Sequence, residues 1–370
     1  MPVDNSMANA YVWYSGATDV TGKKLAEALG AKHGDKKPIT KEVSMVIGWG
    51  TKTKDSVSLD KLPVLNHPDK IALNRNKVNS LKAMKAAGVN VAPFITVDGK
   101  DSIGKPDSDV KLPVIGRTNF HQGGKGFWHC PTMTHVLAAV NEGAGYFQNL
   151  IEIKDEFRLH TVGDKVIYAV KKTKRSTEEM EEAFIKQEKE RQMALAAKNG
   201  DALDEKTIEV FLRRQAKKFA QDGANMLIRS NRLGWKFIRV KTIDKTLEAE
   251  AVKALKAIGL DFGAVDCCID AAGKPWIIEV NSGPGLEETT FDAWVSSLKS
   301  NIMGILKPAT KLAATEKMEE VPAKENKKAP GGRKTKNVLA EKIRLMSEMV
   351  DKADEAEALV LDSVFKKMFG

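Results

Sequence analysis

The sequence predicts a mixed α/β (α+β) protein of several lobes, and three observations carry that expectation. Apolar strands alternate with amphipathic stretches up to residue 97, turn-linked strands take over from Leu112, and 370 residues exceed what one core organises. Alternation implies a small lobe with a parallel sheet, whereas strands joined by turns imply a mostly antiparallel lobe. Three segments are expected: an α/β and helical lobe at 1–110, a main domain at 111–308 with a helical insertion at 176–223, and a basic linker with an amphipathic helix at 309–370.

Taken in order, 11–14 reads as a strand, 16–19 as a turn and 21–29 as a helix with Leu25, Ala28 and Leu29 on one face. A buried strand at 43–49 and a short apolar stretch at 61–66 follow. One long helix is expected over 71–87, stopped by Gly88, with a strand at 91–97. Next come a strand at 112–118, a glycine-rich loop at 122–127, a helix at 133–141, a strand at 146–153 and a hairpin over 156–172 turning at Gly163-Asp164. Ser176 and Glu179 have capping-box spacing and open a charged helical hairpin. A strand is expected over 229–240, a helix over 247–258 ended by Gly259, and a second hairpin over 260–280 around Gly273.

Apolar content of 42% and charged content of 29% exclude a membrane protein and a wholly disordered chain. The formal charge of +10 favours anionic partners without choosing among them. Cys130, Cys267 and Cys268 form neither a disulfide framework nor a zinc pattern, and residues 1–15 lack a secretory signal, so a cytoplasmic protein is expected. The basic linker, with Lys327, Lys328, Arg333, Lys334 and Lys336, has no aromatic residues to stack on bases and reads as a solvated connector rather than a nucleic-acid site. Beyond it Ile343, Met346, Val350, Ala353, Val360 and Val364 form a heptad-like stripe suited to self-association or protein docking.

The chemistry concentrates in the second hairpin. Glu279 and Asn281, two apart on a strand, share a face, and a register placing Asp266 opposite Glu279 brings together three oxygen donors of the kind magnesium prefers. The competing reading, a solvent-facing edge strand, sits poorly with Ile277, Ile278 and Val280 around Glu279. A second signal is Gln122-Gly123-Gly124-Lys125-Gly126, following a strand that carries Arg117. Glycines let backbone N–H groups approach phosphate, and flanking cations offset its charge. The P-loop-like run from Gly16 to Lys24 has the wrong spacing and no metal-binding hydroxyl, so it reads as an ordinary turn. His121, His129, Cys130 and His135 lack ligand spacing and read as packed or hydrogen-bonded residues.

Assembled, these pieces resemble the ATP-grasp superfamily, and within it the glutamate ligases that modify ribosomal protein and the glutathione synthetases. The most specific string is Glu279-Val280-Asn281-Ser282-Gly283-Pro284-Gly285-Leu286, an E-x-N-x-x-P-G-L ending. The resemblance covers about residues 10–305 and implies the ATP-grasp fold, ATP with Mg2+ or Mn2+, and metal positions at Asp266, Glu279 and Asn281. It further implies nucleotide contacts at Lys77, Arg117, Gly123, Gly124, Gly126, Gln148, Asn149, Leu150 and Glu156, and a strand Arg229-Ser230-Asn231 steadying the transferred phosphoryl group, with Arg229 and Asn231 catalytic. Arg117 replaces the usual lysine and Asn149 the usual acidic hinge residue.

The activity so implied is ATP-dependent joining of a carboxylate to an amine through an acylphosphate, with an amino acid added to a peptide or protein acceptor as one form of it. The alternative is an ATP-binding regulatory or scaffold protein without ligase activity.

Overall fold

The computed structural model describes residues 7–38, 40–51, 59, 62–97, 109–121, 124–199 and 205–306. The basic linker, the heptad-like stripe, Gln122 and Gly123 lie outside the described residues. The chain divides into two compact units. The first runs to Ala92 and takes in Asn119–Phe127 and Ile151–Asn301; the second contains Pro93–Thr118 and Trp128–Leu150.

The first unit opens with a parallel sheet. Its strands are β1 (Ala10–Tyr14), β2 (Lys32–Gly34), β3 (Met45–Trp49) and β4 (Val64–Leu65), ordered β2-β1-β3-β4. Every residue of β3 is buried, as a continuous apolar run in a covered parallel strand requires. Helix α1 (Val20–Leu29) is capped by its own Asp19, whose carboxylate accepts from Gly22 N–H at 2.8 Å. The P-loop-like run is therefore the start of an ordinary capped helix. After β4, buried Asn66 accepts at Oδ1 from Asp261 N–H (2.7 Å) and Phe262 N–H (3.1 Å), fastening this sheet to the strand that will carry Asp266.

The single helix expected over 71–87 is two, α2 (Pro68–Arg75) and α3 (Lys77–Ala86). Asn76 breaks it: its backbone is extended and its side chain accepts from Asn79 N–H at 3.2 Å, an N-cap role that asparagine fills better than a helix interior.

The unit's larger sheet holds β9 (Ile153–Val162), β10 (Lys165–Lys174), β11 (Trp235–Arg239), β12 (Phe262–Asp270) and β13 (Pro275–Asn281), antiparallel in the order β11-β10-β9-β12-β13. Between β10 and β11 stand α5 (Thr177–Asn199) and α6 (Glu205–Asp222), joined through Leu212, Ala216 and the Phe184 and Phe219 rings at 5.2 Å. Ser176 and Glu179 make the reciprocal capping bonds that their spacing predicted, at 2.9 and 3.2 Å.

The strand expected over 229–240 starts only at Trp235. Asn225 Oδ1 takes the N–H groups of Leu227 and Ile228 and turns the chain, and a 3-10 turn, Asn231–Leu233, ends at left-handed Gly234. Helix α7 (Lys245–Ile258) packs Leu247, Ala251, Leu255 and Ile258 into the core beneath the sheet. On the other face α8 (Glu288–Leu306), which the sequence reading did not anticipate, sets Trp294 edge-on to Trp49 (5.1 Å) and Phe262 (5.6 Å).

The second unit is a sheet of β5 (Phe94–Thr96), β6 (Val114–Arg117), β7 (Phe127–Cys130) and β8 (Tyr146–Asn149), ordered β5-β8-β6-β7. Helix α4 (Met133–Asn141) buries Met133, Val136 and Ala139 against Ile95, Val114, Cys130 and Phe147. Among the described residues, no helix is long and apolar enough to cross a membrane.

Candidate functional site

The β12–β13 ladder pairs Asp266 directly with Glu279, and Ala264 with Asn281. The register then shifts, so that Cys267 faces Ile277 and Ile278 becomes the extra residue of a bulge. The bulge explains how Ile278 and Val280, two apart on one strand, differ so much, Ile278 being 36% exposed and Val280 0%. Glu279 is thus less surrounded by apolar side chains than the sequence suggests. Asn281 Nδ2 donates to both carboxylates, to Asp266 at 3.1 Å and to Glu279 at 3.2 Å. Between these residues the Val280 carbonyl is held by Asn74 Nδ2 at 2.9 Å, so α2 fixes the strand that presents the pair.

Cations answer the carboxylates one by one. Arg158, opposite Asp266 on β9, donates Nε to Oδ1 at 2.9 Å and one Nη to Oδ2 at 2.8 Å. Lys77, the first residue of α3, stands 3.2 Å from Glu279, and Lys172 on β10 bonds Glu156 while lying 3.7 Å from Asp266. Arg229 closes the series, 3.7 Å from Glu156 with its guanidinium over the Trp235 ring. The result is a chain of alternating charge with one more cation than carboxylates.

Burial by itself raises the Asp266 carboxyl, but Arg158 and Lys172 outweigh it and hold the group well below the usual range. Burial likewise opposes ionisation of Glu279, where Lys77 prevails and the net shift is downward. At Glu156 burial wins over Lys172 and the shift is upward. Burial favours a neutral Lys172, yet Asp266 and Glu156 raise it and keep it cationic.

Among the described residues, no group of three His, Cys, Asp or Glu side chains is placed to hold a metal ion. The candidate here is two ionised carboxylates and the Asn281 carboxamide, whose oxygen must turn to take the place of Nδ2; as oxygen donors the three suit a hard cation such as Mg2+. Asp266 is already engaged at both oxygens, so ligation requires Arg158 to yield. An anion would also find a donor, since buried Arg229 Nε has no hydrogen-bond partner among the described residues.

The other expected residues are distributed over both units. Gly124 has φ +79°, and a Cβ there would meet Ile228 Cγ2 at 2.8 Å, so the glycine-rich segment rests on the turn that carries Arg229. Gly126 is also left-handed, and Lys77 N–H donates to Asn119 at the segment's start. Ser230 precedes the 3-10 turn and Asn231 opens it, neither on a strand, with Asn231 Oδ1 bonded by Gln187 of α5. In the second unit, Arg117 ends β6 and Gln148 and Asn149 end β8. The Asn149 carboxamide is engaged there by Lys111 N–H and the Asp109 carbonyl, and Leu150 N–H by the Pro113 carbonyl. In the loop after β13, Gly283 admits no larger residue, because a Cβ would stand 2.8 Å from Gly50 N.

Two residues of the cluster escaped sequence reasoning, Arg158 and Lys172. The signal was present: Glu156 and Arg158 alternate on one face of a strand, and the Gly163-Asp164 hairpin carries Lys172 back beside Glu156.

Among solved structures, D-alanine–D-alanine ligase from Bacillus anthracis aligns with a TM-score of 0.50 at 10% identity, over 80% of this chain and 92% of that one. The chain has the ATP-grasp fold. N5-carboxyaminoimidazole synthetase from Staphylococcus aureus complexed with ADP aligns at TM-score 0.49 and 15% identity, over 75% of this chain and 71% of that one. The ATP-grasp ligase PsnB complexed with minimal precursor aligns at TM-score 0.46 and 12% identity, over 78% of this chain and 99% of that one. No family model and no curated protein sequence matches the chain.

Proposed function

We propose that the chain is an ATP-dependent carboxylate–amine ligase that works through an acylphosphate, with ATP and Mg2+ held at Asp266, Glu279 and Asn281. The observation that carries this reading is the gathering of those three side chains on one sheet face, paired with Lys77, Arg158 and Lys172, with Arg229 joined through Glu156. A cation bound there would neutralise charge on the β and γ phosphates during transfer.

The chain's own residues do the rest. Lys77, Arg158 and Lys172 present positive charge where a transferred phosphoryl group needs it, and Arg229 offers the same group or an oxyanion its Nε, which lies 3.7 Å from Glu156 and has no hydrogen-bond partner among the described residues. The left-handed glycines at 124 and 126 let the chain turn closely, as a loop that shields an acylphosphate from water requires. Gly123, Glu156, Ser230 and Asn231, with Arg117 and residues 148–150, are assigned to the nucleotide on the motif resemblance alone. The acceptor class, a free amino acid, a peptide or a protein, is part of what the test identifies.

That test is ADP release screened over amino acids and candidate protein acceptors, with mass spectrometry of the new amide. ATP binding without ADP release for any acceptor would favour the regulatory or scaffold alternative, for which the closed Arg158–Asp266 pair is the supporting observation.

A further inference from the structure

Asp266 is the most enclosed of the three candidate ligands, at 3% exposure. Its two oxygens receive the two parallel bonds of the Arg158 guanidinium, with Lys172 behind one of them and Asn281 beside the other. A divalent cation arriving alone must break both charge-assisted bonds and leave the guanidinium facing Lys172 in a poorly solvated site. Such a displacement is costly, because a buried charge loses its partner. A triphosphate changes the balance, since its oxygens accept a guanidinium in the same forked geometry. The side-chain exposures fit an exchange of this kind: Arg158 is 27% exposed and Asp266 4%. The Phe237 ring, 5.4 Å from the Arg158 guanidinium carbon, gives the released group a flat surface to rest on.

Resting on the nucleotide site proposed above, we propose that Arg158 is the resident counter-ion of the metal position. It holds Asp266 until a nucleotide arrives, keeps a lone divalent cation out, and then transfers to phosphate oxygens, so that cation and nucleotide bind only together. Arg158 acts here as a positioning residue whose first role is to block. Glu279, Glu156, Lys77 and Lys172 share the face, paired as Lys77 with Glu279 and Lys172 with Glu156.

The test is Mn2+ titration of the full chain, read from the electron paramagnetic resonance signal of free Mn2+, with and without the non-hydrolysable analogue AMP-PNP. Wild-type protein is expected to bind Mn2+ weakly alone and far more tightly with the analogue. Arg158→Gln is expected to bind Mn2+ alone about tenfold more tightly than wild type, the size of one charge-assisted bond, and to gain less from the analogue. Arg158→Lys keeps the charge and loses the fork; its expected gain is about threefold, and it decides the matter if the glutamine variant does not fold. Two results overturn the counter-ion role while leaving the nucleotide site standing. One is no gain in either folded variant while wild type still binds Mn2+ with the analogue; the other is wild type binding Mn2+ equally well with and without it. A wild-type protein that binds the Mn2+–analogue pair not at all overturns the nucleotide reading itself and the counter-ion role with it.

Discussion

At the scale of single residues, Glu279 decides the enzymatic reading. It is ionised, paired with Lys77 and directly across from Asp266. Glu279→Gln removes one charge and keeps the shape, so ADP release is expected to fall by about a thousandfold, the order of several kcal/mol of lost charge stabilisation. Circular dichroism should show an unchanged fold, and near-normal turnover with Mg2+ would contradict the assignment. His160 makes a different prediction. Its Nδ1 accepts from Trp294 Nε1 at 3.0 Å, and burial beside Arg158 lowers the ring to about 4. The unfolded chain therefore binds a proton that the folded chain refuses between the ordinary histidine value and about 4. The stabilisation is whole above that window and is lost as pH falls through it, an effect on the order of 3 kcal/mol. Urea unfolding at pH 7 and pH 4.5 should show the loss in wild type and a smaller one in His160→Gln.

Much of this residue-scale site was legible beforehand. Asp266, Glu279 and Asn281 follow from strand periodicity and one assumed register, because a hairpin forces partners to face each other. Arg158 and Lys172 were not found: the Gly163-Asp164 hairpin signals that Lys172 returns beside Glu156, but nothing local to β9 says that Arg158 will meet Asp266 on a strand a hundred residues later. The arginine at 229 was placed on a strand that does not exist there, because the side chain of Asn225 competes for the local N–H groups and bends the chain first.

Among elements, the decisive joint lies between the helix pair α2–α3 and the strand β13. Asn74, 2% exposed, spans it by donating to the Val280 carbonyl and accepting from Ser80 Oγ at 3.2 Å. Asn74→Ala leaves both groups without their partner inside the fold. The expected cost is about 2 kcal/mol, seen as a lower urea midpoint with an unchanged slope. Affinity for nucleotide should weaken with it, since the same joint sets Glu279 and Asn281; an unchanged midpoint would show that the joint is dispensable. The split of the expected helix at Asn76 belongs to this joint too, because an uninterrupted helix would not put Lys77 at a new N-terminus beside Glu279.

On the scale of the whole molecule, the charge chain draws its members from α3, β9, β10, β12, β13 and the turn before β11, so it exists only in the folded protein. Ligand that binds only the folded state stabilises it by mass action, roughly 3 kcal/mol at a hundred times its dissociation constant. Thermal unfolding is therefore expected to shift upward with ATP and Mg2+ together, to shift little with Mg2+ alone, and to lose the shift on adding EDTA. A full shift with Mg2+ alone would speak against a site sealed by its own cations.

What the amino-acid sequence determined unaided is everything that short-range periodicity and turn chemistry control. Alternation predicted the small parallel sheet, the Gly163-Asp164 and Gly273 turns predicted the hairpins, the Ser176–Glu179 capping box predicted the insertion, and the E-x-N string marked the strand where Glu279 and Asn281 meet Asp266. Tertiary structure alone decided which cation meets which carboxylate, where the bulge at Ile278 releases Glu279 from apolar surroundings, and that Asn74 and Asn76 are fastenings rather than helix interior. The reason is physical: periodicity and capping act over a few bonds, whereas burial, long-range hydrogen bonds and charge pairing depend on distances between residues that lie as many as 206 positions apart in the chain.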